Sequence, residues 1–356
     1  MERSVILLIT LTIIVSVARW VRLDSHRYYQ LIKATTALTL ILVVLGAFVR
    51  LSDAGLGCPD WPGCYGNLTP AHSAAAIEQA QAIQPHGPVT LEKAWKEMVH
   101  RYLAMFVGSL IAAILVCAII RRGQQSLMLP VLLVASVVFQ AALGAWTVTM
   151  LLRPAIVTSH LLGGITLLCL LVLLLAKQPQ SAAWTRPIKQ SGVIRLFAGI
   201  SLLAVVLQIA LGGWVSTNYA ALACTDFPTC NGKWIPQMDF ANAFHLIRPL
   251  GVGPDGELLT LSALQAIHWV HRLGAALVFI IVGSFGLRLR RAPDAATAST
   301  LLLVILVVQL GLGISNVWFS LPLGVAVAHN GMAAILVAWL VIINIRLHKM
   351  PVNHLS

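Results

Sequence analysis

Long apolar stretches separated by short polar segments dominate the chain. A helix needs about 20 mostly apolar residues to cross a hydrocarbon layer about 30 Å thick. Eight stretches meet this requirement, and they cover residues 32–50, 98–120, 127–149, 156–176, 194–216, 263–287, 299–318 and 323–346. The pattern therefore predicts an all-α integral membrane protein with eight core transmembrane helices.

A ninth apolar stretch, Ser4–Trp20, precedes these eight and is short for a membrane span. Residues 16–18 read Ser-Val-Ala and resemble a signal-peptidase site, so a cleaved signal peptide is one interpretation. Glu2 beside Arg3 is a poor match to the positively charged start of a signal peptide. We therefore favour an uncleaved additional helix, which together with a cytoplasmic linker forms segment 1–31.

The composition agrees with a membrane protein, because 58% of the residues are hydrophobic and only 10% are charged. A soluble domain is about 25% charged. The formal net charge of +12 could by itself suggest nucleic-acid binding. A polytopic helical protein collects Lys and Arg in its cytoplasmic loops, so no nucleic-acid partner is expected.

The positions of the charges predict the orientation of the helices. One set of connections holds fifteen basic residues and two acids, whereas the rest of the chain holds nine basic residues and ten acids. The fifteen are Arg19, Arg22, Arg27, Lys33, Arg121, Arg122, Lys177, Arg186, Lys189, Arg195, Arg288, Arg290, Arg291, Arg346 and Lys349. The positive-inside rule places these connections, the C-terminus and the tail 350–356 in the cytoplasm. Segments 51–96 and 217–262 then lie on the outer, periplasmic side of an inner membrane.

Each of these two outer segments carries one close cysteine pair. Thiols that face an oxidising compartment tend to pair, which predicts the disulfides Cys58–Cys64 and Cys224–Cys230. Zinc binding is the alternative, although it would require further ligands near the thiolates.

The chain also contains an internal repeat. Residues 45–70 and 211–236 match at a fixed offset of 166, with ten identical positions that include both cysteines. Further along, Gln140 and Gly144 match Gln309 and Gly313 at offset 169. The repeat predicts two tandem four-helix transmembrane bundles, 32–190 and 191–349. Because four helices return the chain to its starting side, the two bundles are expected to be related by parallel pseudo-symmetry.

Histidines occur at equivalent places of the two halves, near the outer ends of predicted spans. They are His100 and His160 in the first half and His271 and His329 in the second. An ionisable side chain inside a span is costly and therefore suggests function. Two imidazoles on facing helices suit axial ligation of a heme iron, and Arg101 and Arg272 could meet its propionates. Hydrogen-bonded ties between helices are the alternative interpretation.

The two halves differ three residues before the first histidine of each pair. Glu97 precedes His100, whereas His268 precedes His271. Positions three apart share one helix face. A carboxylate beside a heme edge, close to water, is placed to act as a base or to stabilise developing charge. The first half is therefore expected to carry chemistry and the second to hold a cofactor.

These motifs resemble the heme A synthases of bacteria and mitochondria, over about residues 32–346. The segments that carry the resemblance are LGAFVRLSDAGLGCPDWPGCYG from Leu45, Glu97-Met-Val-His-Arg, Thr158-Ser-His-Leu-Leu-Gly, the loop with Cys224 and Cys230, His271-Arg and His329-Asn-Gly. The resemblance implies an eight-helix oxidoreductase acting on CH or CH2 groups. Such an enzyme oxidises the methyl group at ring position 8 of heme O to a formyl group by successive hydroxylations, with oxygen from water.

The resemblance also implies roles for individual residues. His100, His160 and Glu97 would form the substrate site for heme O. His271 and His329 would ligate a resident heme b that relays electrons. The resemblance implies different roles for the two cysteine pairs. Cys58 and Cys64 would take part in redox chemistry or heme transfer, whereas Cys224 and Cys230 would form a structural disulfide. Helix 4–20 and the extra histidine at position 268 depart from the family pattern.

Partners implied by the resemblance are a heme O synthase, a membrane electron acceptor and a second copy of the chain in a homo-oligomer. Two other functions fit a protein with duplicated histidine pairs. A diheme b-type electron carrier linked to quinol is one, although Glu97 in only one half argues against it. A heme transporter or chaperone is the other, and parallel rather than inverted repeats argue against transport.

Overall fold

The apolar stretches form helices, as the sequence predicts. A computed structural model describes residues 2–21, 24–85, 87–123, 126–253 and 256–349. The predicted cytoplasmic tail 350–356 and Arg22, one of the basic residues used for the orientation, lie outside the described residues.

Eleven α-helices occur within the described ranges, and nine of them are long and apolar enough to cross a membrane. In chain order they are α1 (Glu2–Val21), α2 (Ser25–Leu51), α3 (Ala74–Ile83), α4 (Leu91–Ile120), α5 (Met128–Thr149), α6 (Pro154–Ala176), α7 (Gly192–Thr217), α8 (Phe240–Ala243), α9 (Leu261–Leu289), α10 (Ala296–Trp318) and α11 (Leu323–His348). The prediction of an all-α integral membrane protein is confirmed, and α3 and α8 are too short to span.

Helix α4 begins at Leu91, earlier than the apolar stretch 98–120 indicates. The Thr90 hydroxyl accepts a hydrogen bond from the Lys93 amide and thereby caps the helix. The first two turns carry charged side chains, so hydropathy alone does not detect them. This polar extension matters for function because it contains Glu97.

The chain packs into two compact units, each with its own helices. Unit 1 comprises residues 1–171 with 246–257, and unit 2 comprises residues 172–245 with 258–356. In unit 1, α4 packs against α1, α2 and α5. In unit 2, α9 packs against α7 and α10, and α11 packs against the same two helices.

Helix α1 is an integral part of unit 1. Ala18 and Val21 are buried, whereas Ile9 and Trp20, which lie on the side opposite Ala18, are 45% and 50% exposed. One side of the helix therefore contacts its neighbours α2 and α4, and the other presents apolar side chains that suit a lipid environment.

Candidate functional site

The four histidines of the sequence prediction lie on four different membrane helices. His100 on α4 and His160 on α6 belong to unit 1, and the two side chains are near enough for a charge on one to affect the other. His271 on α9 and His329 on α11 belong to unit 2 and interact in the same way. Each unit thus brings together one pair of half-buried imidazoles.

Each imidazole faces a glycine of a neighbouring helix. A Cβ atom on that glycine would lie 3.1–3.4 Å from the imidazole Cε1 atom, which is closer than ordinary van der Waals contact. The four contacts join His100 to Gly46, His160 to Gly144, His271 to Gly212 and His329 to Gly313. Sequence reasoning found these glycines only as matching positions of the repeat and gave them no role. The signal was present in the repeat, because Gly46 recurs as Gly212 at offset 166 and Gly144 recurs as Gly313 at offset 169.

The residues of each unit fit a heme. Two neutral imidazoles on separate helices are the donor set of a six-coordinate heme iron, whose other four ligands come from the porphyrin. The Nδ1 atoms of His100, His160 and His329 are buried and have no hydrogen-bond partner among the described residues. The glycine opposite each ring lets the imidazole approach the neighbouring helix backbone more closely than a Cβ atom would allow, which fixes the ring between two helices. Groups of three or more His, Cys, Asp or Glu that could hold a bare metal ion are absent from the described ranges.

Both predicted disulfides are present, so the zinc alternative is wrong. In the first cysteine loop, residues 52–69, the Cys58–Cys64 bridge is fully buried. The Asp60 carboxylate organises this loop by accepting hydrogen bonds from the amides of Tyr65, at 2.6 Å, and Gly66, at 2.8 Å.

The second cysteine loop, residues 218–239, repeats this local construction around Cys224–Cys230. The Asp226 carboxylate accepts hydrogen bonds from the Thr229 hydroxyl and from the Gly232 amide. These hydrogen bonds lower the pKa of Asp226 below its ordinary value, because they stabilise the charged carboxylate.

Glu97 anchors the first cysteine loop to α4. Its Oε2 atom accepts a hydrogen bond from the Cys58 amide at 2.9 Å, and its Oε1 atom accepts one from Arg101. The residue is only 4% exposed, so the expectation of a carboxylate close to water is wrong. The cause is a close approach of loop and helix: a Cβ atom at Gly57 would lie 2.6 Å from the Lys93 carbonyl carbon.

The two arginines predicted to meet heme propionates hold loop backbone in this structure. Arg101 Nη1 donates to the carbonyl oxygens of Asp60, at 2.8 Å, and Gly63, at 2.6 Å. Arg272 Nη1 donates to the Thr229 carbonyl at 2.7 Å, and its Nη2 donates to the Cys224 carbonyl at 3.1 Å. Each arginine therefore fastens the cysteine loop of its own unit, and a contact with propionates stays a prediction.

His268 occupies the position in unit 2 that Glu97 has in unit 1. It is buried, and its Nε2 atom accepts a hydrogen bond from Arg272 Nε at 3.2 Å. That bond uses the ring nitrogen lone pair that would otherwise bind iron. His271, rather than His268, therefore offers the Nε2 atom for a heme in this unit.

Comparisons with known proteins identify the family of this chain. A family model described as cytochrome oxidase assembly protein matches residues 29–341. A heme A synthase of Shewanella oneidensis is 43% identical over 318 residues, which cover 88% of this chain and 94% of that protein. Heme A synthases of Mesorhizobium japonicum and Caulobacter sp. (strain K31) are each 29% identical, covering 84% and 85% of this chain and 84% and 90% of those proteins.

The family match includes both cysteine loops and all four histidines that face glycines. It also includes Glu97 and Arg101, which join the first of these loops to its helix. The chain belongs to the heme A synthase family.

Proposed function

We propose that this protein is a heme A synthase that binds heme O in unit 1. It oxidises the methyl group at ring position 8 to a formyl group by two successive hydroxylations. The oxygen comes from water, so each methyl group and one water yield a formyl group, four electrons and four protons. The observation that supports this proposal most is that both units set imidazoles against glycines, whereas among the described residues a buried carboxylate, Glu97, stands three residues before the first of these histidines in unit 1 and a histidine stands there in unit 2.

In unit 1, His100 and His160 offer the nitrogen donors that hold the iron of heme O. Gly46 and Gly144 leave space beside the two rings, and the surrounding apolar helices accommodate the hydrophobic tail of the substrate. Removing electrons from the methyl group leaves a positively charged carbon that water can attack, and a fixed negative charge nearby stabilises it.

Glu97 supplies that negative charge and can take up a proton. Its Oε2 atom accepts a hydrogen bond from the Cys58 amide and its Oε1 atom accepts one from Arg101, so both carboxylate oxygens are held in fixed positions. The ion pair with Arg101 keeps the carboxylate oriented. Glu97 lies three residues before His100 and therefore on the same side of α4.

In unit 2, His271 and His329 would hold a heme b, with Gly212 and Gly313 beside the rings. When bound, that heme would supply one-electron redox chemistry between the substrate and a membrane electron acceptor. A heme O synthase that supplies the substrate is the other partner this function requires. The charge pattern supports an inner-membrane location with both cysteine loops on the periplasmic side.

The test is to produce the protein in cells that make heme O but have no heme A synthase of their own. Extracted hemes are separated and identified by mass. Heme A is expected with the natural sequence and is expected to disappear with His100→Ala. Unchanged heme O at full protein level would reject the proposal and favour an electron carrier or a heme transporter, neither of which forms a formyl group.

A further inference from the structure

His271 has a side-chain hydrogen-bond partner in unit 2. Gln208 on α7 places its Nε2 atom 2.9 Å from His271 Nδ1, and the same atom donates to the His271 carbonyl oxygen at 2.9 Å. Gln208 lies one helical turn before Gly212, the residue that faces the same imidazole. One face of α7 therefore leaves room for the His271 ring at Gly212 and contacts its Nδ1 atom through Gln208.

The corresponding place in unit 1 is apolar. At the repeat offset of 166, Gly212 corresponds to Gly46, but Gln208 corresponds to Leu42. Leucine has no polar atom to offer, and the buried Nδ1 atom of His100 has no hydrogen-bond partner in the described part of the chain. The two units thus keep the same glycine and differ at the residue next to it.

A second difference accompanies the first. A Cβ atom on Gly274 would lie 2.3 Å from Gln208 Oε1, so glycine at this point of α9 makes room for the carboxamide. At offset 171, which aligns His271 with His100, Leu103 stands in place of Gly274. Unit 2 therefore combines glutamine with glycine, where unit 1 combines two leucines. The paired change indicates that the space is made for the carboxamide.

The chemistry of the carboxamide suits a heme ligand. When imidazole Nε2 binds iron, Nδ1 carries the proton and needs an acceptor. A carboxamide offers both a donor and an acceptor, and Gln208 Oε1 is buried without a partner among the described residues. Turning the amide presents an oxygen to Nδ1–H, in exchange for the hydrogen bond that the amide nitrogen donates to the His271 carbonyl oxygen. A partner of this kind fixes the orientation of the ring and raises its basicity.

We propose that Gln208 is a positioning residue that makes His271 a permanent heme ligand, whereas His100, lacking such a partner, can exchange its heme. This asymmetry would distinguish a unit that retains its cofactor from one that must release its product. The inference rests on the proposed function, in which the histidine pairs bind heme. Loss of an outer partner of a ligating histidine typically weakens metal binding by about 10- to 100-fold.

The experiment uses the full-length protein purified in detergent. Its heme b content is measured as the pyridine hemochrome, and heme release is followed by transfer to excess apomyoglobin. Replacing the pair by that of unit 1, Gln208→Leu with Gly274→Leu, is expected to accelerate release by about 10- to 100-fold. The reciprocal pair, Leu42→Gln with Leu103→Gly, is the matched control and should leave release from unit 2 unchanged.

Gln208→Glu separates hydrogen bonding from packing, because it keeps the size of the side chain and provides a stronger acceptor. We expect it to retain heme b and to lower its midpoint potential, since a more basic imidazole stabilises the ferric state. This variant also decides the outcome if the leucine pair does not accumulate. A midpoint potential and a release rate equal to those of the natural protein would overturn the inference.

The design separates this inference from the proposed function. If the purified protein contains no heme b that depends on His271 and His329, the assignment of unit 2 fails. If such a heme is present and its release and potential are indifferent to Gln208, only the role of Gln208 fails.

Discussion

Removing the charge of Glu97 tests catalysis and loop anchoring together, and the structure shows how to separate them. In Glu97→Gln, one carboxylate oxygen becomes an NH2 group. That group must face either the Cys58 amide or the Arg101 guanidinium, and both are donors. The variant therefore loses one hydrogen bond, either to Cys58 of the loop or to Arg101, as well as the negative charge.

The structural cost of this change can be estimated. A hydrogen bond that involves a charged group contributes about 1.5–3 kcal/mol. Arg101 still holds the carbonyl groups of Asp60 and Gly63, so the loop keeps part of its attachment. Since 1.4 kcal/mol corresponds to a factor of ten, the open population of the loop should rise by about 10- to 100-fold. Loss of the charge next to the reacting carbon is expected to reduce the rate of heme A formation by about 10²–10³-fold.

Unit 2 provides the control that distinguishes these effects. There His268 accepts a hydrogen bond from Arg272 at the position equivalent to Glu97. The variant Glu97→His copies this arrangement, so it should offer an acceptor to Arg101 without a negative charge. We expect Glu97→His to keep Arg101 in place on the first cysteine loop and still to abolish heme A formation, with the Cys58 amide losing its acceptor. Closure of this loop is measured as resistance of the Cys58–Cys64 disulfide to a water-soluble reductant.

The assay for both variants is the ratio of heme O, hydroxylated intermediate and heme A extracted at equal protein level. Heme b content, measured in the same samples, reports on the integrity of unit 2. Amounts of heme A equal to those of the natural protein in either variant would refute the catalytic role. Glu97 would then be an anchor of the loop and nothing more.

Three further predictions concern the remaining features of the site. His271→Ala and His329→Ala should each remove most of the low-spin b-type absorbance of the purified protein, and a full spectrum in both variants would place the heme elsewhere. Gly212→Ala puts a Cβ atom 3.1 Å from the His271 ring and should lower heme b content, whereas Gly199→Ala on the same helix, where a Cβ atom meets open space, should not. After reduction, the cysteines of both loops should react with a membrane-impermeant thiol reagent added to spheroplasts but not with one confined to the cytoplasm, and labelling only from the inside would reverse the proposed orientation.

The transmembrane helices could be predicted from sequence because lipid imposes a simple rule on length and polarity. The start of α4 could not be predicted in this way, because the segment from Leu91 to Lys96 is polar and its first turn is capped by Thr90. Hydropathy therefore placed the start of the span seven residues too late, at position 98. It also left Glu97 at the edge of the membrane helix, where exposure to water was the natural expectation. Burial arises from the cysteine loop folding over α4, which no periodicity encodes.

The histidines could be identified because an ionisable residue in an apolar span stands out. The glycines did not stand out, since glycine is common in membrane helices. They matter here because glycine has no Cβ atom at the point where the imidazole approaches. Gln208 gave a signal of its own as an amide within the apolar stretch 194–216. Its partner could not be found without the structure, because His271 is distant in the chain. The relation between the two repeated halves by parallel pseudo-symmetry stays a prediction.

The contact between histidine and glycine has a consequence for how a duplicated protein can acquire two different tasks. Substituting a ligand or its facing glycine removes a site outright, so these positions leave little room for gradual divergence after duplication. The residue one turn before the glycine is free of that constraint, and it can change between leucine and glutamine while the ligand set stays intact. Two copies of one helical repeat can therefore become different at the residue beside the histidine while both keep the histidine and its facing glycine.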